Sequence, residues 1–129
     1  MKTIIAGSRS IKSYDLVEYH IRNSNIELTE IVCGLANGVD KLGQTFARLN
    51  NVPIQYFRPR WGLYGKSAGF KRNKQMVDYA EAAIIIWDGF SNGSKNTIEL
   101  SIKKGITTHV YNQATNIIER YPMKLRDNL

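Results

Sequence analysis

The sequence predicts an α/β domain built on a parallel sheet with helices on both faces. Short apolar runs alternate with segments whose apolar residues recur every three or four positions, the pattern of strands alternating with helices. One run, Ala82–Trp87, is apolar throughout, as a strand covered on both faces must be. Three runs empty into loops of glycine, serine and asparagine, at residues 7–10, 34–40 and 88–96.

Residues 2–6 read as the first strand, followed at once by GSRS (7–10). Ser13 is placed to cap a helix over 14–23, with Val17 and Ile21 facing inward and His20 half-buried on the same side. Residues 30–33 form the second strand and GLANGVD (34–40) its exit loop. Val39, Leu42, Phe46 and Leu49 stripe the next helix, which ends at Asn50-Asn51. Residues 53–57 are the third strand, and 58–67 a long loop of the kind that is functional or mobile.

The third helix spans 70–80. Lys71, Lys74, Gln75 and Asp78 fall on its outward stripe, and Asn73, Val77 and Ala80 on the opposite one. Arg72 leans inward, one turn before Met76. The fourth strand, 82–87, opens through the glycine loop 88–96 into a helix striped by Ile98 and Ile102 and ended by Gly105. Residues 106–111 are the fifth strand. Ala114, Ile117, Ile118 and Tyr121 suggest a C-terminal helix and tail from about residue 113, stopped by Pro122, with the last seven residues loose. No internal repeat or linker divides the chain, so one domain covers 1–129.

Right-handed crossovers limit how five such strands connect. A Rossmann-like order, 3-2-1-4-5, places the reversal between the first and fourth strands, and ligands of such sheets bind at the carboxyl ends of the strands there. The loops meeting at that point are 7–10 and 88–96, with 34–40 beside them. Free N–H groups and the helix dipole at these exits favour an anion.

A chain of 129 residues is long enough for one sizeable core. The single cysteine, Cys33, excludes an internal disulfide and a thiolate-rich metal site, and no apolar run reaches the length of a membrane span. A reducing, cytoplasmic location without membrane contact is expected. The net charge of +7 is unevenly placed: eight Lys or Arg and no acid lie between Asp40 and Asp78, so an anionic partner is expected, a phosphorylated small molecule or a nucleic acid.

The candidate ligand-binding residues follow from these loops. Gly7, Ser8 and Arg9, with Gly89, Ser91, Gly93, Ser94 and Thr97, offer N–H groups and hydroxyls to phosphate oxygens, and Asp88 stands at the mouth of the fourth strand. Arg9 and Arg72 can grip phosphate with two parallel hydrogen bonds. Lys66 adds charge, and Asn73 beside Arg72 needs either a ligand or protein carbonyls as partner. Asn37 and Asp40 can take ribose hydroxyls, although an acid at the start of a helix is also favoured by the dipole alone, and Gly34 and Gly38 serve either a ligand or the turn. Trp61, Tyr64 and Trp87 are the aromatic candidates for stacking a base. His20 and His109 lie far apart in sequence and no transition-metal set is visible; magnesium is compatible with a phosphorylated ligand.

GSRS, GLANGVD, GKSAGFKRNKQM and WDGFSNGSKNTI, in this order and each at a strand exit or helix start, resemble the YspA/YpsA-related branch of the SLOG superfamily over about residues 2–111. That resemblance implies a Rossmann-like fold binding a nucleotide or nucleotide-derived ligand. The superfamily includes the Lonely Guy phosphoribohydrolases, whose arginine early in the third helix is matched by Arg72 and whose Gly-Thr pair is similar to Gly93-Ser94. Where those enzymes carry a glutamate this chain has Thr97; Glu99 comes two residues later and is spaced to pair with Lys103.

The leading expectation is therefore a sensor, carrier or sponge for such a ligand. One alternative is a hydrolase of the nucleotide N-glycosidic bond, with Arg72 and Asp40 as candidate catalytic residues. The other is a single-stranded nucleic-acid binder using Arg58, Arg60, Lys66, Lys71, Arg72 and Lys74 among Trp61, Tyr64 and Phe70. A homo-oligomer is open in each.

Overall fold

The computed structural model describes residues 1–122. The chain runs β1 (Lys2–Gly7), α1 (Tyr14–Asn23), β2 (Glu30–Cys33), α2 (Val39–Leu49), β3 (Ile54–Tyr56), α3 (Trp61–Tyr64), a 3₁₀ turn (Gly65–Ser67), α4 (Ala68–Tyr79), β4 (Ala82–Trp87), α5 (Asn92–Lys104), β5 (Thr107–Asn112) and β6 (Ile117–Tyr121). One six-stranded sheet has the order β3-β2-β1-β4-β5-β6. The first five strands are parallel in the expected order, so the fold is Rossmann-like, with the strand reversal between β1 and β4.

The sheet separates two cores, and the period-two alternation of its strands assigns residues to each. Ile5, Ile31, Cys33, Ile84 and Ile86 pack under α1 and α2 with Val17, Ile21, Val39 and Phe46. Ile4, Ala6, Val32, Ala83, Ile85 and Val110 pack under α4 and α5 with Met76, Val77, Ala80 and Ile98. β4 contributes five fully covered residues, Ala82 to Ile86, which is why it reads as continuously apolar. Gly7 and Gly43 allow close approach: a Cβ on Gly7 would stand 2.0 Å from the Ile86 carbonyl oxygen, and one on Gly43 2.7 Å from Ile5.

The expected C-terminal helix is overturned. Residues 117–121 form β6, antiparallel to β5 from Asn112↔Ile117 to Thr108↔Tyr121. The segment is too short to hold a helix without tertiary support. A connection of only residues 113–116 suits an antiparallel hairpin; Asn116 supplies its φ of 57° and its side-chain oxygen accepts from Tyr111 Oη at 2.9 Å. The loose tail expected at 123–129 lies outside the described residues. The segment expected as loop 58–67 holds α3 and the 3₁₀ turn, and α4 starts two residues earlier than its stripe suggested. The stripes overreach at their ends, where Leu49 and Ile102 are exposed.

Candidate functional site

The topology brings the exits of β1 and β4 together, and a cleft of about 430 Å³ opens between them. Gly7, Ser8, Arg9, Asp40, Arg72, Asn73, Asp88, Ser91, Gly93, Ser94 and Thr97 line it, joined by Ala6, Ser10, Ala36 and Met76, which sequence reasoning did not single out. A second cavity of about 270 Å³ adjoins it, sharing Arg9, Ala36, Arg72, Asn73 and Gly93. The walls of this annex are Leu35, Pro59, Trp61, Lys66, Gly69 and Phe70.

The β4 exit is built around Asp88. Its Oδ1 accepts the N–H groups of Phe90 and Ser91, both at 2.8 Å, which holds the loop in a turn just ahead of α5. Burial pushes the carboxyl up, but these N–H donors outweigh it, and Asp88 titrates below its ordinary range. Ser8 Oγ accepts from Asp88 N–H at 2.9 Å and lies 2.8 Å from Ser91 Oγ, which in turn donates to Ser94 Oγ at 3.1 Å. With Ser91 donating forward, Ser8 must donate to Ser91. The hydroxyl protons therefore run one way, and only Ser94 has its own proton free for the cleft.

Part of the expected phosphate cradle is spent inside the protein. Ser8 N–H bonds Ile86 O at 3.1 Å, Lys95 N–H bonds Ser91 O at 3.2 Å, and the Thr97 hydroxyl bonds Gly93 O at 3.2 Å. Hydroxyls as short as those of serine and threonine readily turn back onto nearby backbone. The first-turn N–H groups of Asn92, Gly93 and Ser94 remain, as an α-helix leaves them, and a Cβ on Gly93 would meet nothing within 4 Å, so approach there is open.

Arg72 and Asp40 form the floor. Gly34 makes room for them: a Cβ there would stand 2.1 Å from an Arg72 Nη and 3.0 Å from Asp40 Oδ2. Asp40 is 3% exposed and accepts from Ala36 N–H at 3.3 Å. Burial pushes its carboxyl up to about 6, against the opposing pull of Arg72, the N–H groups of Ala36 and Gly7, and Arg9. Burial likewise lowers the Arg72 pKa, with Asp40 countering. Arg72 Nε donates to Asn73 Oδ1 at 3.0 Å; its two terminal nitrogens have no acceptor among the described residues. Asn73 has protein partners on both sides, donating to Asn96 Oδ1 at 3.1 Å and Gly93 O at 3.4 Å, so it ties α4 to the start of α5.

The remaining expected residues sit elsewhere. Asn37 is exposed on the β2 exit loop and lines neither cavity. Gly38, with φ of 76°, packs against the backbone of Ser8 and Arg9, and Gly89, with φ of 92°, against Asn112 and Ala114; both shape the loops from behind. Lys66 lines the annex. Trp61 does too, whereas Trp87 donates its indole N–H to Ser91 O at 3.0 Å and faces a separate cavity, and Tyr64 lies under the Lys71 ammonium. Glu99 is on the surface, 4.0 Å from Lys95 rather than paired with Lys103. The strand-exit rule itself pointed toward Ser10, Leu35 and Ala36, and the spacing of four from Arg72 toward Met76.

His20 is fully buried, not half-buried. Its Nδ1 lies 3.0 Å from His109 Nε2, and Arg120 Nε donates to His109 Nδ1 at 3.3 Å. Among the described residues no group of three His, Cys, Asp or Glu side chains could hold a metal ion, and no helix is long and apolar enough to cross a membrane.

No family model, no curated protein and no solved structure matches the chain.

Proposed function

We propose that the protein binds a nucleotide or nucleotide-derived phosphorylated ligand, as a sensor, carrier or sponge, with phosphate in the cleft and the base in the annex. Arg72 carries this reading. It stands between the two cavities, half-buried, with two guanidinium nitrogens that no protein acceptor uses. Those nitrogens open onto the cleft rather than being sealed in the protein, so an anion can reach them and bind through two parallel hydrogen bonds. The N–H groups at the start of α5, the Ser94 hydroxyl and Arg9 surround the same space. Membership in the YspA/YpsA-related branch of the SLOG superfamily is part of this proposal and rests on the four motifs.

Asp40 favours a second reading, a hydrolase of the N-glycosidic bond. A carboxyl held near 6 on the floor of a phosphate cleft is suited to proton transfer. Against it, the hydroxyl of Thr97 bonds Gly93 O, Glu99 lies on the surface, and Asp88, the carboxylate on that side, is engaged by the N–H groups of Phe90 and Ser91 and by Ser10 Oγ. Little or no free base should appear when mononucleotides are incubated with the protein and followed by chromatography; turnover lost in Asp40→Asn would establish the hydrolase.

Titration of mononucleotides and a single-stranded oligonucleotide at two salt concentrations tests the binding reading. Arg72→Ala should abolish mononucleotide binding, while Lys71→Ala with Lys74→Ala leaves it nearly intact. A nucleic-acid binder would give the reverse weighting and a steep salt dependence. Lys74 is already paired with Asp78 at 3.2 Å and Lys71 lies over Tyr64, so much of the outward basic stripe is engaged locally.

A further inference from the structure

We propose that the annex selects bases carrying a carbonyl rather than an amino group at C6 of a purine or C4 of a pyrimidine, reading the major-groove edge where the oxo bases offer only acceptors. This rests on the nucleotide reading above and adds to it the chemistry of the base.

The inference comes from counting which polar side-chain atoms on the annex are still free. Arg9 and Lys66 make no hydrogen bond or ion pair among the described residues, and the terminal nitrogens of Arg72 make none either. All of these are donors with no capacity to accept. The indole N–H of Trp61 can likewise only donate, and Asn73 is the one wall side chain with an acceptor atom, its oxygen taking Arg72 Nε while its nitrogen serves Asn96 and Gly93. No aspartate or glutamate lines the annex.

A base entering this space therefore meets side chains whose free hydrogen-bonding atoms are donors, apart from the second lone pair of the Asn73 oxygen. A ring carbonyl accepts from lysine or arginine, the pairing by which these residues read the O6 of guanine. An exocyclic amino group presents N–H to N–H: it either loses its partner or turns away, and an unpaired buried donor is disfavoured.

Affinity and selection then reside on different residues. Trp61 is half-exposed, and beside its ring Gly69 carries no side chain: a Cβ there would stand 3.7 Å from Trp61 Cη2. An indole face stacks on any base, so Trp61 contributes binding without choosing. The choice falls to Lys66 and Arg9.

Inosine and adenosine monophosphate differ at the decisive position, as do uridine and cytidine monophosphate. Calorimetric titration should show inosine over adenosine, and uridine over cytidine monophosphate, by about tenfold. Lys66→Met with Arg9→Met should bring both ratios close to one. Trp61→Ala should weaken all four nucleotides by about tenfold and leave ribose 5-phosphate unchanged. Gly69→Leu, on a helical backbone that tolerates a side chain, should reduce every nucleotide to the level of ribose 5-phosphate. Equal or tighter binding of the amino-bearing partners while ribose 5-phosphate binds, or ratios that survive the double substitution, would overturn the selection alone. Failure of ribose 5-phosphate and all four nucleotides to bind would overturn the nucleotide reading with it.

Discussion

Two places among the described residues bring buried ionisable groups together with an arginine. Between α1 and β5, His20, His109 and Arg120 form a hydrogen-bonded chain. Arg120 donates from Nε to His109 Nδ1 and from Nη2 to Asn23 O at 2.9 Å. An arginine can only donate, so His109 Nδ1 is an acceptor and its Nε2 carries the hydrogen given to His20 Nδ1. His20 in turn stacks on Tyr111 with ring centroids 4.3 Å apart. At the β1–β4 exit, Asp40 and Arg72 are equally removed from bulk solvent in the carboxyl's case and half-removed in the arginine's, yet the guanidinium's terminal nitrogens point to no protein acceptor. A guanidinium that donates to buried protein acceptors holds a fold together; one whose terminal nitrogens open onto a cleft is placed for something that arrives later. That difference, more than burial or a shifted pKa, marks Arg72 as a ligand residue and Arg120 as a structural clamp from β6 to α1.

The comparison breaks if the two arginines behave alike. Arg72→Ala should lower affinity for a nucleotide by a hundredfold or more; its cost in stability comes through Asp40, whose buried carboxylate loses its countercharge, and through the oxygen of Asn73. Arg120→Ala should leave affinity unchanged and cost about 1–3 kcal/mol of stability, because it strands the buried His109 Nδ1. Denaturant titration beside calorimetry separates the outcomes; an Arg120→Ala protein that is as stable as its parent, or that loses the ligand, would remove the distinction.

The pH dependence of stability sharpens it further. Burial, with the charges of His20 and Arg120, lowers His109 to about 4 from an ordinary value of 6.5. The unfolded chain then binds the extra proton between those values, so the stability that His109 contributes is present above pH 6.5 and lost as pH falls through 4. His20, lowered by burial and by Arg120, adds the same sign. Asp40 works the other way. Its folded pKa of about 6 lies above the ordinary 3.8, so its contribution is present below pH 3.8 and lost as pH rises through 6. Each shift corresponds to about 3 kcal/mol, and the two oppose one another across pH 4–6. Asp40→Asn should therefore be more stable than the parent at pH 8 by about 2–3 kcal/mol, and should gain stability steadily from pH 4 to 6.5. His109→Gln should lose stability over that same interval. Parallel stability profiles for the two variants would show that these groups do not govern the slope.

Much of this was legible in the sequence, for identifiable reasons. β4 announces itself because a strand covered on both faces has no polar residue to place, and the cleft lies where the small-residue exit loops meet the strand reversal. β6 was not legible: over eight residues, Ala114, Ile117, Ile118 and Tyr121 satisfy a helical spacing as well as Ile117–Tyr121 satisfy a strand, and only pairing with β5 decides. The His20–His109 contact joins residues 89 apart, which no local pattern encodes. Asp40 reads from sequence as a ribose ligand or as an acid at the start of a helix favoured by the dipole; its burial appears only once α2 is docked behind Gly34 and Arg72. The annex draws Leu35, Trp61 and Phe70 from separate segments, so its shape is a property of assembly.

The smallest effect expected is a proton taken up on binding. An anion seated on Arg72 sets a negative charge near Asp40 and offsets the guanidinium's favourable field on that carboxylate, so the pKa of Asp40 rises further when the site fills. The complex then holds more protons than its separated parts at pH values just above 6, and affinity must weaken as pH rises through that region. A shift of about one unit corresponds to about tenfold in affinity. The second ionisation of phosphate, with a pKa near 6, opposes this trend, since a dianion binds Arg72 more tightly. Measuring at pH 7.5, where most of the phosphate is already the dianion, isolates the protein's share. Titrations in two buffers of different ionisation enthalpy should show a fraction of a proton taken up per ligand. Asp40→Asn should abolish that uptake, and His109→Gln should leave it unchanged, because the histidine cluster faces no ligand. Uptake that persists in Asp40→Asn would place the responsive group elsewhere and remove Asp40 from the site's electrostatics.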